Sequence, residues 1–441
     1  MSKEIEMSRR LNANRVVVFT NGVFDLFHQG HAELLRKASE QGDYLLVGVT
    51  SDESNLEKRA SKDDWPTRSA NVLKSPYVDA VIETPWSRNL TEDFYVEYQI
   101  DLHVHGDEES DFGPAKALGI FRTLGRTENI STSMIIAILD SASKRRLDGG
   151  DTNDVYRVEF EGEGYVVKHA NRRIAKNFNF DVPALRVRDE YDALVAFRAA
   201  VGNPQYIAEP VWTNSKDTLV VRAVPFKGQT LAAELSGGNV PHQLLLEIVS
   251  ALGTMHNRTG RDVALQKRFS NTRGFREIKL GIQCLRASER PEILEAVGSL
   301  IRESSEAQHV LLHGDFAPKN ILVSRDLFTF IDFEESGYWD SALDLGYFFA
   351  HVLISYVMTE KKNERERLGI SLVALLKKYA DSFGQIDPHF ESRVGRYTGV
   401  FVISRLDSPA PDRKIPNSVK PRLRGIGTEL LLNHCRIEDL D

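Results

Sequence analysis

Two groups of side chains in this sequence have the types and spacing that chemistry at phosphorus needs. In the first, His28 and His31 flank Gly30 in the run Thr20-Asn-Gly-Val-Phe-Asp-Leu-Phe-His-Gln-Gly-His31. Two imidazoles this close can donate hydrogen bonds to a phosphate and stabilise the charge that grows during displacement at phosphorus. The glycine between them lets the backbone approach a ligand closely. The bland alternative is a pair of surface histidines at a helix start. In the second group, Asp315 follows His313-Gly314, Asn320 comes a short step later, and Asp332 sits in Phe330-Ile-Asp-Phe-Glu334. Phosphoryl transfer to a hydroxyl needs a carboxylate beside the accepting oxygen, a role for Asp315. It also needs oxygen ligands for Mg2+, a role for Asn320 and Asp332.

These residues have to be held by regular elements. Val16–Phe19 reads as a buried strand and Ala32–Gln41 as a helix closed by Gly42. Tyr44–Val49, Tyr77–Ile82 and Leu102–Val104 read as further strands, with helices starting after Thr91 and after Ser131-Thr-Ser133. That alternation predicts an α/β domain, a Rossmann-like doubly wound parallel sheet. Its ligand crevice lies at the carboxyl ends of the strands, where the helix start beside His28 favours anions. Around Ser141–Leu147 the pattern changes. Tyr156–Phe160 and Tyr165–Lys168 read as a hairpin around Glu161-Gly-Glu-Gly164, Thr218–Val224 is strand-like, and helical patterns dominate from about Val187. The division expected is residues 1–140 and 141–441.

The chain has 441 residues, 41% hydrophobic and 27% charged, which excludes a disordered polymer and supports more than one core. With 56 basic and 63 acidic residues the formal net charge is −7, so a nucleic acid or anionic membrane bound by bulk charge is not expected. Two cysteines, Cys284 and Cys435, exclude a disulfide framework and fit a reducing, cytoplasmic location. No stretch approaches the ~20 apolar residues of a membrane span, and Met1–Arg10 lacks the apolar core of a signal peptide.

Several separated segments of the first domain resemble the H-x-G-H nucleotidyltransferases, and among them the cytidylyltransferases that make CDP-alcohols. Phe-Arg-Thr-Leu-Gly-Arg-Thr-Glu-Asn-Ile-Ser-Thr-Ser133 looks like their R-T-E-G-I-S-T signature, with Asn129 in place of the glycine, and Val104-His-Gly-Asp107 looks like their cytosine-reading segment. The resemblance covers about residues 15–140. It implies catalytic roles for His28, His31, Lys58 and Arg126, with Lys62 as the alternative to Lys58. It also implies a nucleotide cradle of Gly22, Phe24, Asp25, Gly30, Arg68, Gly106, Asp107, Ile130, Ser131, Thr132 and Ser133. Trp86 is either a platform for the base or a packing residue. Homodimerisation through this domain is a further expectation from the family.

His-Gly-Asp-Phe-Ala-Pro-Lys-Asn320 with Ile-Asp332-Phe resembles the aminoglycoside phosphotransferase and choline kinase family of two-lobed, protein-kinase-like α+β folds. The resemblance covers about residues 147–350. It implies a nucleotide-covering turn at Gly149-Gly150 and a phosphate-binding Lys168 paired with Glu190, Asp189 being the rival. Asp344, in Ala342-Leu-Asp-Leu-Gly346, is expected to brace the catalytic loop. Asp332-Phe-Glu334 is followed closely by the next helix, which favours a small-molecule acceptor over a protein. Gly337-Tyr-Trp-Asp340 either presents aromatic faces to a cationic alcohol or packs in the core.

Together the two resemblances imply a bifunctional transferase using Mg2+, ATP and CTP. The second domain would phosphorylate a small alcohol, and the first would convert the phospho-alcohol to a CDP-alcohol and pyrophosphate. A fusion of an adenylyltransferase with a sugar kinase, or a scaffold of two decayed enzymes, are the competing readings.

Overall fold

A computed structural model describes residues 15–56, 60–106, 112–125, 127, 130–147, 153–171, 186–224, 228–237, 242–285, 287–325, 327–358, 372–407, 415–433 and 437. The chain divides into two compact units, Met1–Ala142 and Ser143–Asp441. Among the described residues no helix is long and apolar enough to cross a membrane.

In the first unit the strands β1 (Val17–Gly22), β2 (Tyr44–Thr50), β3 (Ala80–Thr84), β4 (Leu102–Gly106) and β5 (Phe121–Leu124) form one sheet in the order β3-β2-β1-β4-β5. All four pairings are parallel. Because successive strand side chains point to opposite faces, Val18, Leu45 and Val47 enter one core, whereas Phe19 and Leu46 enter another. Both faces are therefore covered, as a doubly wound sheet requires. The order reverses beside β1, and the loop after β1 leads into the helix Gln29–Ser39 at that reversal. The helix buries Leu35 and Ala38 against the sheet. β5 was not expected as a strand; its residues are half-exposed at the sheet edge, so no apolar run marks it.

The second unit opens with an antiparallel sheet of β6 (Arg145–Arg146), β7 (Asn153–Phe160), β8 (Glu163–Ala170), β9 (Pro210–Thr213) and β10 (Thr218–Arg222), ordered β6-β7-β8-β10-β9. The expected hairpin is β7–β8, turning at Glu161 and Gly162, both at positive φ. The helix Arg186–Ala200 buries Val187, Glu190, Leu194 and Phe197, a stripe at helical spacing that brings Glu190 inward with its apolar neighbours. Further on, β11 (Gln229–Thr230), β13 (Ile321–Ser324) and β14 (Leu327–Phe330) form a small sheet, and β12 (His309–Leu312) pairs with β15 (Gly337–Asp340). Helices including His242–Thr259, Ala342–Met358 and Phe390–Asp407 surround them and share one continuous core. Gly274–Cys284 is a π-helical run, a rare geometry that often marks functional sites.

Candidate active sites

The first site is built where β1 hands over to a helix. His28 is the N-cap of Gln29–Ser39, its backbone extended at φ −136°, and its Nδ1 accepts from the Gly30 N–H at 3.1 Å. The Nδ1 of His31 accepts in turn from the His28 N–H at 3.4 Å. Each ring thus receives a backbone hydrogen at Nδ1, which in the neutral form leaves its own proton on Nε2. The rings stack with centroids 3.8 Å apart. Burial, and then the neighbouring His28, hold His31 well below the ordinary imidazole range. Gly30 is required for this arrangement. A Cβ there would lie 2.9 Å from His28 Cε1 and 3.1 Å from Cγ2 of Ile130.

Those contacts draw in a distant segment. Ile130 packs over Gly30, Ser131 caps the helix Thr132–Asp140, and Thr132 Oγ1 donates to the Asp25 carbonyl at 3.1 Å and lies 3.5 Å from His28 Nε2. Phe24, at φ +53°, is buried and tilts its ring against His31. Beneath the carboxyl end of β1, Asn21 Oδ1 accepts from Nε2 of His103, whose Nδ1 accepts from the Tyr95 hydroxyl. Burial and the nearby His105 push His103 down to about 3, so it is neutral, and burial pushes the Tyr95 phenol up to about 12.

The second site forms around β8, the helix Arg186–Ala200 and the loops after β12 and β14. Lys168 Nζ lies 2.6 Å from Glu190 Oε1 and 2.8 Å from Asp332 Oδ1. Burial works against the Lys168 ammonium, but Asp332 and Glu190 outweigh it and hold it above its ordinary value. Burial raises Glu190 to about 7. Asp332 sits at φ +70°, in the left-handed region that aspartate tolerates better than most side chains. Asn320 donates to the Asp315 carboxylate at 2.8 Å and to its carbonyl at 2.9 Å. Two ammonium groups bracket that carboxylate, Lys279 at 3.1 Å and Lys319 at 2.9 Å. Although burial opposes it, Lys319 and Lys279 hold Asp315 well below the carboxylate range, so it is ionised. Asp344 accepts from the N–H groups of His313 at 2.7 Å and Gly314 at 3.0 Å, which clamps the loop. The reach from strand to helix is closed by Glu334, which takes Asn153 at 2.9 Å and Arg186 at 3.0 Å.

Residues 144–379 match the phosphotransferase enzyme family, and residues 19–138 match the family described as cytidylyltransferase-like. Over 123 residues the chain is 41% identical to glycerol-3-phosphate cytidylyltransferase of Staphylococcus aureus, covering 27% of this chain and 90% of that protein. The chain belongs to both families. Ethanolamine-phosphate cytidylyltransferase of Arabidopsis thaliana is 37% identical over 134 residues, 27% of this chain and 31% of that protein, so the chain spans about a third of that relative. A choline/ethanolamine kinase family protein from Mesorhizobium loti shares 16% identity with a TM-score of 0.40, over 66% of this chain and 89% of that one.

In the cytidylyltransferase-like unit the structure brings together His28, Gly30, His31, Phe24, Ile130 and Thr132. It shows Asp25 and Arg68 as ties within the protein. The Asp25 carboxylate accepts from the N–H groups of Lys62 and Asp63, each at 3.0 Å. Arg68, expected to face phosphate, is fully buried; its guanidinium donates to the carbonyls of Val23, Thr50 and Asp63 and to the Asp52 carboxylate. Trp86 is half-buried and donates from Nε1 to the Ser54 carbonyl. Gly22 ends β1, Gly106 ends β4, and Ser133 is exposed on the first turn of its helix. Lys58, Asp107 and Arg126 lie outside the described residues, as do Gly149 and Gly150.

In the phosphotransferase unit the structure brings Lys168, Glu190, Asp315, Asn320 and Asp332 into one region. Asp189 instead pairs with Arg268 at 2.7 Å. Gly337-Tyr-Trp-Asp340 is core: Tyr338 donates to the Thr259 carbonyl, Trp339 stacks on His309, and Asp340 pairs with Arg393 at 2.7 Å. The residues not foreseen are Lys279, Lys319, Arg186, Asn153 and Glu334. Of these, Lys319 stood inside the His313–Asn320 run, and its spacing to Asp315 was the available signal.

Proposed function

We propose that the chain is a bifunctional transferase. The phosphotransferase unit transfers the γ-phosphoryl group of ATP to the hydroxyl of a small alcohol, and the cytidylyltransferase-like unit then transfers CMP from CTP to the phospho-alcohol. In the first reaction Asp315 takes the hydroxyl proton, the alcohol oxygen bonds to the γ-phosphorus, and ADP leaves. In the second a phosphate oxygen of the phospho-alcohol attacks the α-phosphorus of CTP, and pyrophosphate leaves while the Nε2–H groups of His28 and His31 neutralise charge. The observation carrying this reading is that one chain holds an ionised Asp315 bound by Asn320 and, separately, two stacked imidazoles at a helix start. One unit makes what the other consumes, and a tether raises the local concentration of the intermediate.

The donors fit Mg2+, which prefers hard oxygen ligands. Carboxylate oxygens of Glu190, Asp332 and Glu334 converge within 4.8 Å, and Glu190 Oε2 is buried without a hydrogen-bond partner. Asp332 and Asn320 would hold the ion; Lys168 bridges Asp332 and Glu190, and Glu334 is engaged by Arg186 and Asn153. Bound there, it would neutralise charge on the ATP phosphates. The names of the matched relatives include the phosphates of ethanolamine and glycerol, which supports a short phospho-alcohol as the substrate class.

Incubating the full chain with ATP, CTP, Mg2+ and a panel of short alcohols, with masses read at the end, tests this. A CDP-linked product that requires both nucleotides is expected. Absence of any CDP-linked product from alcohols and their phosphates alike would refute it.

A further inference from the structure

Lys279 is fully buried on the π-helical run, 36 residues from the carboxylate it contacts. Its ammonium lies 3.1 Å from Asp315 Oδ1 and 3.3 Å from Glu335 Oε2, and donates to Gln283 Oε1 at 2.9 Å. It is also centred 3.7 Å above the ring of Tyr347, with the Phe401 ring at 5.7 Å. The far end of Tyr347 is engaged too: its hydroxyl accepts from Arg405 at 3.1 Å, and the same guanidinium reaches His351 Nε2 at 2.7 Å. A second cation, Lys319, stands on the other carboxylate oxygen of Asp315.

An alcohol that carries an ammonium group is recognised by an aromatic face within roughly 6 Å of the charge. In choline or ethanolamine a short carbon bridge joins the cation to the hydroxyl. With that hydroxyl at Asp315, the cation falls in the neighbourhood that Lys279 already occupies. The Trp339 ring is taken up otherwise, stacked on His309. We infer that Lys279 is a specificity-determining residue of the phosphotransferase unit: it fills the cation seat on Tyr347, and so directs the site to alcohols with hydroxyl or anionic oxygens near the reacting hydroxyl and against those with an ammonium there. The inference rests on the phosphorylation reaction proposed above.

The test uses the full chain with ATP and Mg2+, measuring ADP release with glycerol, ribitol, glycerate, choline and ethanolamine. The best polyol or hydroxy acid is expected to exceed choline and ethanolamine in kcat/KM by at least roughly 100-fold. Lys279→Met should narrow that ratio at least about tenfold, mainly through KM, and Lys279→Arg should restore part of it. If choline or ethanolamine is the best acceptor of the unaltered protein, the inference is overturned and the phosphorylation reading survives. If no alcohol of the panel accepts phosphate, both fall. A folded Lys279→Met protein with an unchanged ratio also overturns it. Should that variant fail to fold, the acceptor ratio of the unaltered protein decides alone.

Discussion

Lys168 donates to Asp332 at 2.8 Å across 164 residues of chain, and to Glu190 at 2.6 Å. The contact joins the antiparallel sheet to the loop after β14. Lys168→Met removes that cation from two carboxylates, one of them deeply buried. Breaking a buried pair from one side costs about 3 kcal/mol or more, somewhat less here because Glu190, at about 7, can take up a proton. Loss of ATP-dependent phosphorylation is expected, with CTP-dependent pyrophosphate release from a phospho-alcohol unchanged. Urea unfolding and the two separate assays measure this.

Gly314 has φ +83°, and a Cβ on it would lie 1.9 Å from the Glu335 carbonyl oxygen. Neither the backbone nor that carbonyl can yield cheaply. Gly314→Ala should destabilise the phosphotransferase unit by more than about 3 kcal/mol. A thermal melt resolving the two units should show the transition of this one lowered and that of the other unmoved.

Arg68 offers a choice between two roles that a single variant separates. As a buried tie to three carbonyls and Asp52, its replacement by Met leaves acceptors unsatisfied and should cost about 3 kcal/mol in the stability of the first unit. A variant with unaltered stability and only a raised KM for CTP would restore the phosphate-facing role.

The contrast between Arg68 and Asp315 shows what was legible in the sequence. Asp315 was readable because His313 stands just before it and Asn320 and Asp332 follow it in one recognisable pattern. The strand–helix alternation around His28 was readable for the same reason, and the parallel sheet followed from it. Arg68 looks in sequence like any basic residue near a phosphate site; only the carbonyls of Val23, Thr50 and Asp63 distinguish a tie. Lys279 had no local signal at all, since a lysine in a charged amphipathic run reads as solvated, and its partners Asp315 and Tyr347 are brought to it by tertiary packing. The network of Asn21, His103 and Tyr95 was hidden likewise, one member on each of three separate elements.

His103 gives the first unit a signature in pH. Burial and His105 push it down to about 3, against an ordinary value of 6.5. Below pH 6.5 the unfolded chain takes up a proton there while the folded chain does not, so the stability it contributes is present above that pH and is lost as pH falls toward 3. At about 1.4 kcal/mol per unit, the step from pH 6.5 to pH 5 should remove about 2 kcal/mol. His103→Gln should reduce the loss between the two pH values by about that amount, leaving the part due to His31, as read by urea unfolding of the first unit.

The proposed order of reactions is tested most directly by Asp315→Asn in the full chain. Supplied with ATP, CTP, Mg2+ and the best acceptor alcohol, this protein should form no CDP-alcohol, while supplied with CTP and the corresponding phospho-alcohol it should form it at the unaltered rate. Formation of CDP-alcohol from the free alcohol at the unaltered rate, or loss of the phospho-alcohol reaction in the same variant, would contradict a chain in which Asp315 serves only the first of two consecutive transfers.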